Sequence, residues 1–297
     1  MYRIISLLLG GFISIMILMN GGLAQRYGLY SSVVIIHVFG FLLIGVITLL
    51  KREKLFQKRY SPVLYLGGIT GILTILFANY AFQYLSISAI LALGLLGQCI
   101  MSFLIDQFGL FGMPTYTFTK RRLLGLCIIF IGSMIMIQGF EAWAAFLALL
   151  SGICIVLSRT INARLTEESN LIIGTCYHFF FGLLAASVLF VLLGDHEVSY
   201  PTFGIDPFSS NWYIYLGGIV GVFVILVSNI VVSKISSIHM TVLLFIGQVL
   251  AGLSIDFHIT SAFSVELLIG VLIVSIGLFI NIGWNQKNQQ QSAQNVS

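Results

Sequence analysis

The sequence predicts an all-α integral membrane protein whose ten transmembrane helices form two inverted five-helix repeats. Composition is the first observation: 59% of the residues are hydrophobic and only 8% are charged, whereas a typical soluble domain has about 25% charged residues. The second is the number of apolar windows, since ten stretches approach the roughly 20 residues that span a bilayer as a helix. The third is an internal repeat, in which polar residues of the first half recur in the second.

The predicted spans are separated by short polar segments or by segments that contain glycine and proline. In chain order they cover residues 3–24, 30–50, 62–84, 86–106, 121–140, 142–164, 170–194, 211–233, 237–257 and 264–285. The first window lacks a small-residue cleavage site, so we expect it to be a membrane helix rather than a signal peptide. The windows divide the chain into repeat 1 (1–140), repeat 2 (141–286) and a polar tail (287–297) that is predicted to be disordered.

The internal repeat is ungapped between residues 65–106 and 215–256, where 15 of 42 positions are identical. We call this alignment the central register. Its identical polar residues are the informative ones, because apolar helices resemble one another by composition alone. These residues are Asn79 and Asn229, Gln98 and Gln248, and Asp106 and Asp256. A second alignment, the N-terminal register, pairs Asn20 with Asn162. A tandem duplication of one five-helix membrane unit explains these matches.

The positions of the basic residues predict the orientation in the membrane. With the N-terminus in the cytoplasm, 13 of the 14 Lys and Arg residues fall on the cytoplasmic side and only Arg26 falls outside, as the positive-inside rule expects. Five helices are an odd number, so the second repeat enters the membrane from the opposite side. The loop after the second helix has five Lys or Arg residues and its counterpart after the seventh has none, which agrees with this inversion.

Together these residues resemble the drug/metabolite transporter superfamily (EamA-like), and more specifically its YdcZ-type branch, here as a fused ten-helix chain. The resemblance covers residues 3–285 and includes glycine-rich third helices. Its specific motifs are Asn followed by Leu in each first helix (Asn20 and Leu23, Asn162 and Leu165), Phe39-Gly40 and Phe181-Gly182 in each second helix, and GQ-x7-D in each fourth helix, ending at Asp106 and Asp256.

The resemblance implies a basket of ten helices around a central cavity and the export of metabolites or drugs across the cytoplasmic membrane, without naming a substrate. One departure bears on the mechanism. Small multidrug exporters of the superfamily use a membrane-embedded Glu in the first helix, whereas the first helix here contains no carboxylate. Proton exchange by that route is therefore not expected.

Six amide side chains are the candidate substrate-binding residues: Gln98, Gln248, Asn79, Asn229, Asn20 and Asn162. An amide in hydrocarbon is costly without a hydrogen bond, so we expect these side chains to face protein or a wet cavity. The alternative for the glutamines and asparagines is a purely structural hydrogen bond between neighbouring helices. Asn20 and Asn162 are expected at the ends of the first helix of each repeat.

Four further residues are candidates for gating or coupling. Asp106 and Asp256 lie eight residues beyond the glutamines, about 12 Å along a helix, which places them near opposite mouths of a cavity. His37 and His178 lie near the middle of helices 2 and 7, where a titrating imidazole could carry a proton. Their alternative is a neutral ring hydrogen-bonded between helices. Arg159 could attract an anion, but orientation of the chain in the membrane is the favoured interpretation of this residue.

The sequence therefore predicts a secondary transporter of the cytoplasmic membrane that exports a small metabolite or drug-like molecule by alternating access, with the two repeats rocking about a midplane cavity. It contains no recognised catalytic, metal or cofactor motif, so no enzyme activity, metal or cofactor is expected. The expected partners are a small-molecule substrate and membrane lipids, with no nucleic acid, and the chain is expected to be a monomer. The alternatives are a flippase for a lipid or lipid-linked sugar, and a non-transporting membrane scaffold or accessory subunit.

Overall fold

The structure is a computed structural model. It describes residues 1–55, 58–110, 120–135, 141–194, 211–232 and 237–260, and in the last helix residues 265, 268–277 and 280. Within these residues the chain forms ten α-helices. They are α1 Tyr2–Tyr27, α2 Leu29–Leu50, α3 Pro62–Phe82, α4 Ile87–Phe108, α5 Lys120–Ile135, α6 Ala142–Glu168, α7 Leu171–Leu193, α8 Gly217–Val232, α9 Ser237–Thr260 and α10 Leu268–Gly277.

The predicted all-helical membrane fold is confirmed. Seven helices in the described part of the chain are long and apolar enough to cross a membrane, and large apolar side chains such as Leu42, Leu184 and Leu272 are exposed on the outer surface. Such a surface suits hydrocarbon and not water. Where their ends are described, the predicted windows agree with the helices to within a few residues, except that α8 is preceded by a 3₁₀ segment, Trp212–Leu216. Residues 136–140 of the fifth window and residues 278–279 and 281–285 of the tenth lie outside the described residues. The predicted tail, 287–297, lies outside the described residues.

The helix ends follow from local sequence signals. Pro62 begins α3, where its missing N–H needs no partner. The Ser86 hydroxyl accepts the Ala89 N–H at the start of α4, and the Asn170 side chain accepts two backbone N–H groups at the start of α7. Gly109 ends α4 in the left-handed conformation, with φ 60°, which glycine adopts without steric cost. Capping and apolar length together account for the bounds of these helices.

Among the described residues, helices of one repeat pack mainly against helices of the other. Helix α1 packs on α8 and α9, and α2 packs on α8; correspondingly, α6 packs on α3 and α4, and α7 packs on α3. We call α1, α2, α8 and α9 the α1/α8 bundle, and α3, α4, α6 and α7 the α3/α6 bundle. Contacts of α2 with α7 and of α4 with α9 join the two bundles. Each bundle is therefore built from both repeats.

Equivalent glycines bring the helices of both bundles to backbone contact. A Cβ added at Gly97 would lie 2.0 Å from the Leu149 carbonyl oxygen, and one at Gly247 would lie 1.9 Å from that of Leu7. The two contacts are related by the repeat, since the central register pairs the glycines and the N-terminal register pairs Leu7 with Leu149. Only a residue without a side chain permits such close crossings. The duplicated glycines thus set the same helix spacing in both bundles.

Candidate functional site

A cavity of about 220 Å³ lies between the two bundles. This is far more than the roughly 10–15 Å³ that one water needs on the same measure. Its described lining comes from all eight helices of the two bundles and none from α5 or α10. The helices of the two bundles, four from each repeat, thus converge on one shared space.

Eight of the ten site residues predicted from the sequence line this cavity. They are Asn20, His37, Asn79, Gln98, Asn162, His178, Asn229 and Gln248. The side chains of the other two, Asp106 and Asp256, lie outside the part that the structure describes, although their backbones belong to α4 and α9. The fold therefore brings together residues from opposite ends of the sequence, as Asn20 and Gln248 are.

Asn20 and Asn162 occupy equivalent places, each against a glycine of the other repeat. A Cβ at Gly67 would lie 2.2 Å from Asn162 Oδ1, and a Cβ at Gly217 would lie 2.0 Å from Asn20 Oδ1. This contact explains why the asparagines and the glycines are duplicated together. The prediction that the asparagines end their helices is wrong, because α1 continues to Tyr27 and α6 to Glu168. Both side chains are buried between helices.

A hydrogen-bond network connects α3, α6 and α7 at one side of the cavity. Ser158 Oγ donates to the Gly67 carbonyl across the helix crossing, at 2.7 Å. Asn162 Nδ2 donates to Ser158 Oγ at 3.3 Å and to His178 Nδ1 at 2.9 Å. His178 is thus held between α6 and α7, which matches the structural alternative given for it from the sequence. It also lines the cavity.

His37 lines the cavity from α2 and is bonded differently. Its Nδ1 donates to the Val33 carbonyl of its own helix, at 2.9 Å, which leaves Nε2 without a partner among the residues described. The N-terminal register pairs His37 with Phe179, and the two rings take equivalent places against Gly182 and Gly40. Each second helix therefore carries one histidine, but His37 and His178 lie one position apart in the N-terminal register and are not equivalent.

The remaining amides differ in their hydrogen bonds. Asn79 Nδ2 donates to Ser32 Oγ at 3.3 Å, whereas the equivalent Nδ2 of Asn229 has no partner in the described part of the chain. No hydrogen bond joins the side chain of Gln98 or Gln248 to another described residue. Both glutamines line the cavity. Their amides are therefore available to a bound molecule.

Sequence reasoning assigned Arg159 to membrane orientation, but the structure places its side chain in the cavity lining. Ser151, Ser158, Arg159 and Asn162 all lie on the face of α6 that meets the cavity. Their spacing of seven, one and three positions is that of one helix face. This polar stripe was visible in the sequence, and it was the signal that could have identified Arg159 as a cavity residue.

Comparisons with known proteins agree with this architecture. The family model described as "Putative inner membrane exporter, YdcZ" matches residues 1–135 and 143–280. A crystal structure described only as that of a protein is similar over 95% of this chain and 96% of its own, with a TM-score of 0.64 and 14% sequence identity. At that identity the likeness shows the fold alone. No curated protein matches the sequence.

Proposed function

Since the chain belongs to the YdcZ-type family of inner membrane exporters within the drug/metabolite transporters, we propose that it is a secondary carrier that exports a small molecule through the cavity between its bundles. The proposal includes the cytoplasmic membrane as its location, cytoplasmic termini and a monomeric carrier. The observation that carries it is one cavity lined by amides that the two repeats supply in pairs.

The lack of hydrogen bonds at the two glutamines supports contact with a substrate over a purely structural role. A glutamine that joins helices must hydrogen-bond a neighbouring helix. Gln98 and Gln248 have no such bond to a described residue, and a cavity of about 220 Å³ adjoins both. Polar groups inside a membrane require water or a ligand if protein does not satisfy them. A bound small molecule would supply what these amides lack.

Alternating access is the mechanism that we propose, with one change from the sequence-based hypothesis. Rocking of repeat 1 against repeat 2 would break the backbone contacts at Gly97 and Gly247, because both contacts join the two repeats. The α1/α8 and α3/α6 bundles have their close crossings within themselves, so they are the bodies that move. The repeat makes the two bundles near equivalents, which gives two packings of similar energy, one open to each side.

The test is transport into proteoliposomes or out of whole cells, over amino acids, organic acids, nucleosides, sugars and cationic drugs. It compares the wild type with the Gln98→Ala/Gln248→Ala double variant, using Gln83→Ala as a matched control, because Gln83 is exposed at the end of α3. A substrate that the wild type and the control move and the double variant does not would support both the carrier and its site. Equal transport by all three would remove the glutamines from the site, and no transport of any compound would contradict the carrier proposal.

A further inference from the structure

The internal repeat pairs positions across the cavity lining, and several of these pairs do not match in chemistry. The N-terminal register relates Ile17 to Arg159, Met16 to Ser158 and Ile36 to His178. The central register relates Thr74 to Val224 and Gly94 to Leu244. All ten line the cavity. The amide pairs are the same in both repeats, so the chemical differences between the repeats lie at other positions of the cavity lining.

Four of these pairs place their polar member on the α3/α6 bundle, whereas two further lining pairs place it on the α1/α8 bundle: His37 opposite Phe179, and Ser228 opposite Ala78. The α3/α6 bundle presents what we call the polar lobe: Thr74, Gly94, Ser151, Ser158, Arg159 and His178. The α1/α8 bundle presents what we call the apolar lobe, which lies on the same bundle as the lining residues His37 and Ser228 and consists of Ile13, Met16, Ile17, Ile36, Val224 and Leu244. A cavity that has a polar lobe around Arg159 and a separate apolar lobe suits a molecule with a polar head and an apolar body.

Arg159 determines which charge the polar head of a bound molecule should carry. It is an obligate cation at any physiological pH, and no ion pair or hydrogen bond joins it to a described residue. The described lining of the cavity contains no Asp or Glu. A charge enclosed by a membrane protein is costly unless an opposite charge or a polar partner faces it. No described lining residue supplies a negative charge to balance Arg159. A bound molecule can supply that charge.

The surroundings of Arg159 favour an oxyanion. The guanidinium fork binds the two oxygens of a carboxylate side by side. Ser158 and Asn162 lie on the same face of α6, and Asn162 Nδ2 and His178 already form a connected polar surface there. A cation would meet the uncompensated guanidinium at short range in a site of low dielectric constant, which opposes its binding.

Membrane orientation does not require this placement. Arg164 lies on the same helix, about 7.5 Å nearer its end, where its side chain is 39% exposed and pairs with Glu167 at 3.2 Å. Arg164 is therefore placed to interact with the cytoplasmic surface, whereas Arg159 faces the cavity. The two arginines provide a matched pair in which only one can contact a substrate.

Resting on the proposed carrier function, we propose that the substrate is a small organic anion, a carboxylate attached to an apolar body. Its carboxylate binds Arg159 in the polar lobe. Its apolar part packs against Ile17, Met16 and their neighbours in the apolar lobe. Neutral and cationic molecules of the same shape bind more weakly, because neither supplies the missing negative charge.

The experiment measures binding to purified protein in detergent, by calorimetry, and uptake into proteoliposomes. The probes are hexanoate and 3-phenylpropanoate, each with its neutral amide and the corresponding amine. The variants are Arg159→Gln, Arg159→Lys, Arg159→Ile, which copies the residue of the apolar lobe, and Arg164→Gln as the control. Size-exclusion profiles and melting temperatures show whether each variant is folded, and Arg159→Lys keeps the charge if the other two do not fold.

We expect the wild type and Arg164→Gln to bind a carboxylate about tenfold or more tightly than its amide or amine, a ratio typical of a charged hydrogen bond. Arg159→Gln and Arg159→Ile should lose this preference without weakening the amide, and Arg159→Lys should keep part of it. Equal binding of carboxylate and amide by the wild type, tighter binding of the amine, no binding of either carboxylate, or a preference that survives Arg159→Gln would each overturn the proposal.

The two proposals fail in different ways. If carboxylates bind with the expected preference but none crosses the membrane, the anion site stands and the carrier function fails. If the protein moves amides or amines as well as carboxylates, the carrier stands and the anion site fails. Uptake that depends on Arg159 and distinguishes the carboxylate from its amide supports both.

Discussion

The polar and apolar lobes of the cavity share one backbone arrangement and differ in their side chains. The same glycine crossings support both, at Gly97 in one bundle and Gly247 in the other. The N-terminal register, which pairs the leucines that these glycines touch, also pairs Arg159 with Ile17. The comparison teaches that the repeat preserved the residues that set helix spacing and the amides of the cavity, and allowed other residues facing the cavity to diverge. Equivalent mutations at the glycine crossings should therefore destabilise the two bundles by similar amounts. Equivalent mutations at the lining positions that differ between the repeats should have different effects.

The largest effect is expected from closing both glycine crossings in one protein, because each crossing adds its own loss of stability. Gly97→Ala and Gly247→Ala each place a Cβ about 2 Å from a backbone carbonyl oxygen, which cannot move without shifting a helix. We expect each to destabilise the protein by about 1–3 kcal/mol, and by similar amounts because the crossings are equivalent. Melting of the purified protein measures this.

Gly45→Ala is the control for these crossings, because a Cβ at Gly45 meets nothing within 4 Å. It should leave the melting temperature unchanged or raise it, since alanine favours the helix more than glycine does. A large drop for one crossing and none for the other would show that the two bundles are not equivalent scaffolds.

The next effect concerns two equivalent positions of the cavity lining, where mutation should change transport at one position and stability at the other. Gly94 lines the cavity and leaves room for a Cβ, which would meet its nearest atoms at an ordinary contact distance of 3.9 Å, whereas its equivalent Leu244 is packed in a cluster with Leu9, Val224 and Val231. Gly94→Leu should therefore fill the polar lobe and abolish transport while the protein stays folded. Leu244→Ala should instead destabilise the fold by about 2–5 kcal/mol. Transport and melting, measured together on both variants, test this contrast; unchanged transport in Gly94→Leu would contradict the assignment of the polar lobe.

A smaller difference in the loss of stability is expected between alanine variants of Asn162 and Asn20. Asn162→Ala removes hydrogen bonds to Ser158 and His178 and leaves buried groups without partners, at a cost of about 1–3 kcal/mol. The side chain of Asn20 has no hydrogen bond to a described residue, and Oδ1 is buried without a described partner in both asparagines. Asn20→Ala should therefore cost less. Chemical denaturation of the two variants measures the difference, and equal losses would show that packing against the facing glycines decides their contribution.

The smallest effects are expected at two serines that bond across the repeats. Ser158 Oγ donates to the Gly67 carbonyl and Ser14 Oγ to the Gln248 carbonyl, each at 2.7 Å. Replacing either by Ala should cost about 1 kcal/mol. Ser254→Ala is the control, because its exposed hydroxyl bonds only the carbonyl one turn earlier in its own helix. If the control lowered the melting temperature as much as the other two, the bonds across the repeats would contribute nothing of their own.

Most of the candidate site could be predicted because polar residues in a membrane helix are few and each requires a partner. That constraint identified Gln98, Gln248 and the asparagines from one sequence, and the structure places them around one cavity. It failed at Arg159, because an arginine near a helix end has two physical explanations, attraction to the cytoplasmic surface or to an anion. The sequence cannot choose between them without knowing which way the helix face points.

The sequence by itself determined the ten helices, their inverted duplication and the pairs of polar residues, because apolar length, capping and the repeat are properties of consecutive residues. Only the tertiary structure decided that each bundle combines both repeats, that Phe179 takes the place equivalent to His37, and that Arg159 faces the cavity. The physical reason is that apolar helices offer similar surfaces to many neighbours. Their partners are chosen by close contacts, such as Gly67 with Asn162, between residues far apart in the chain.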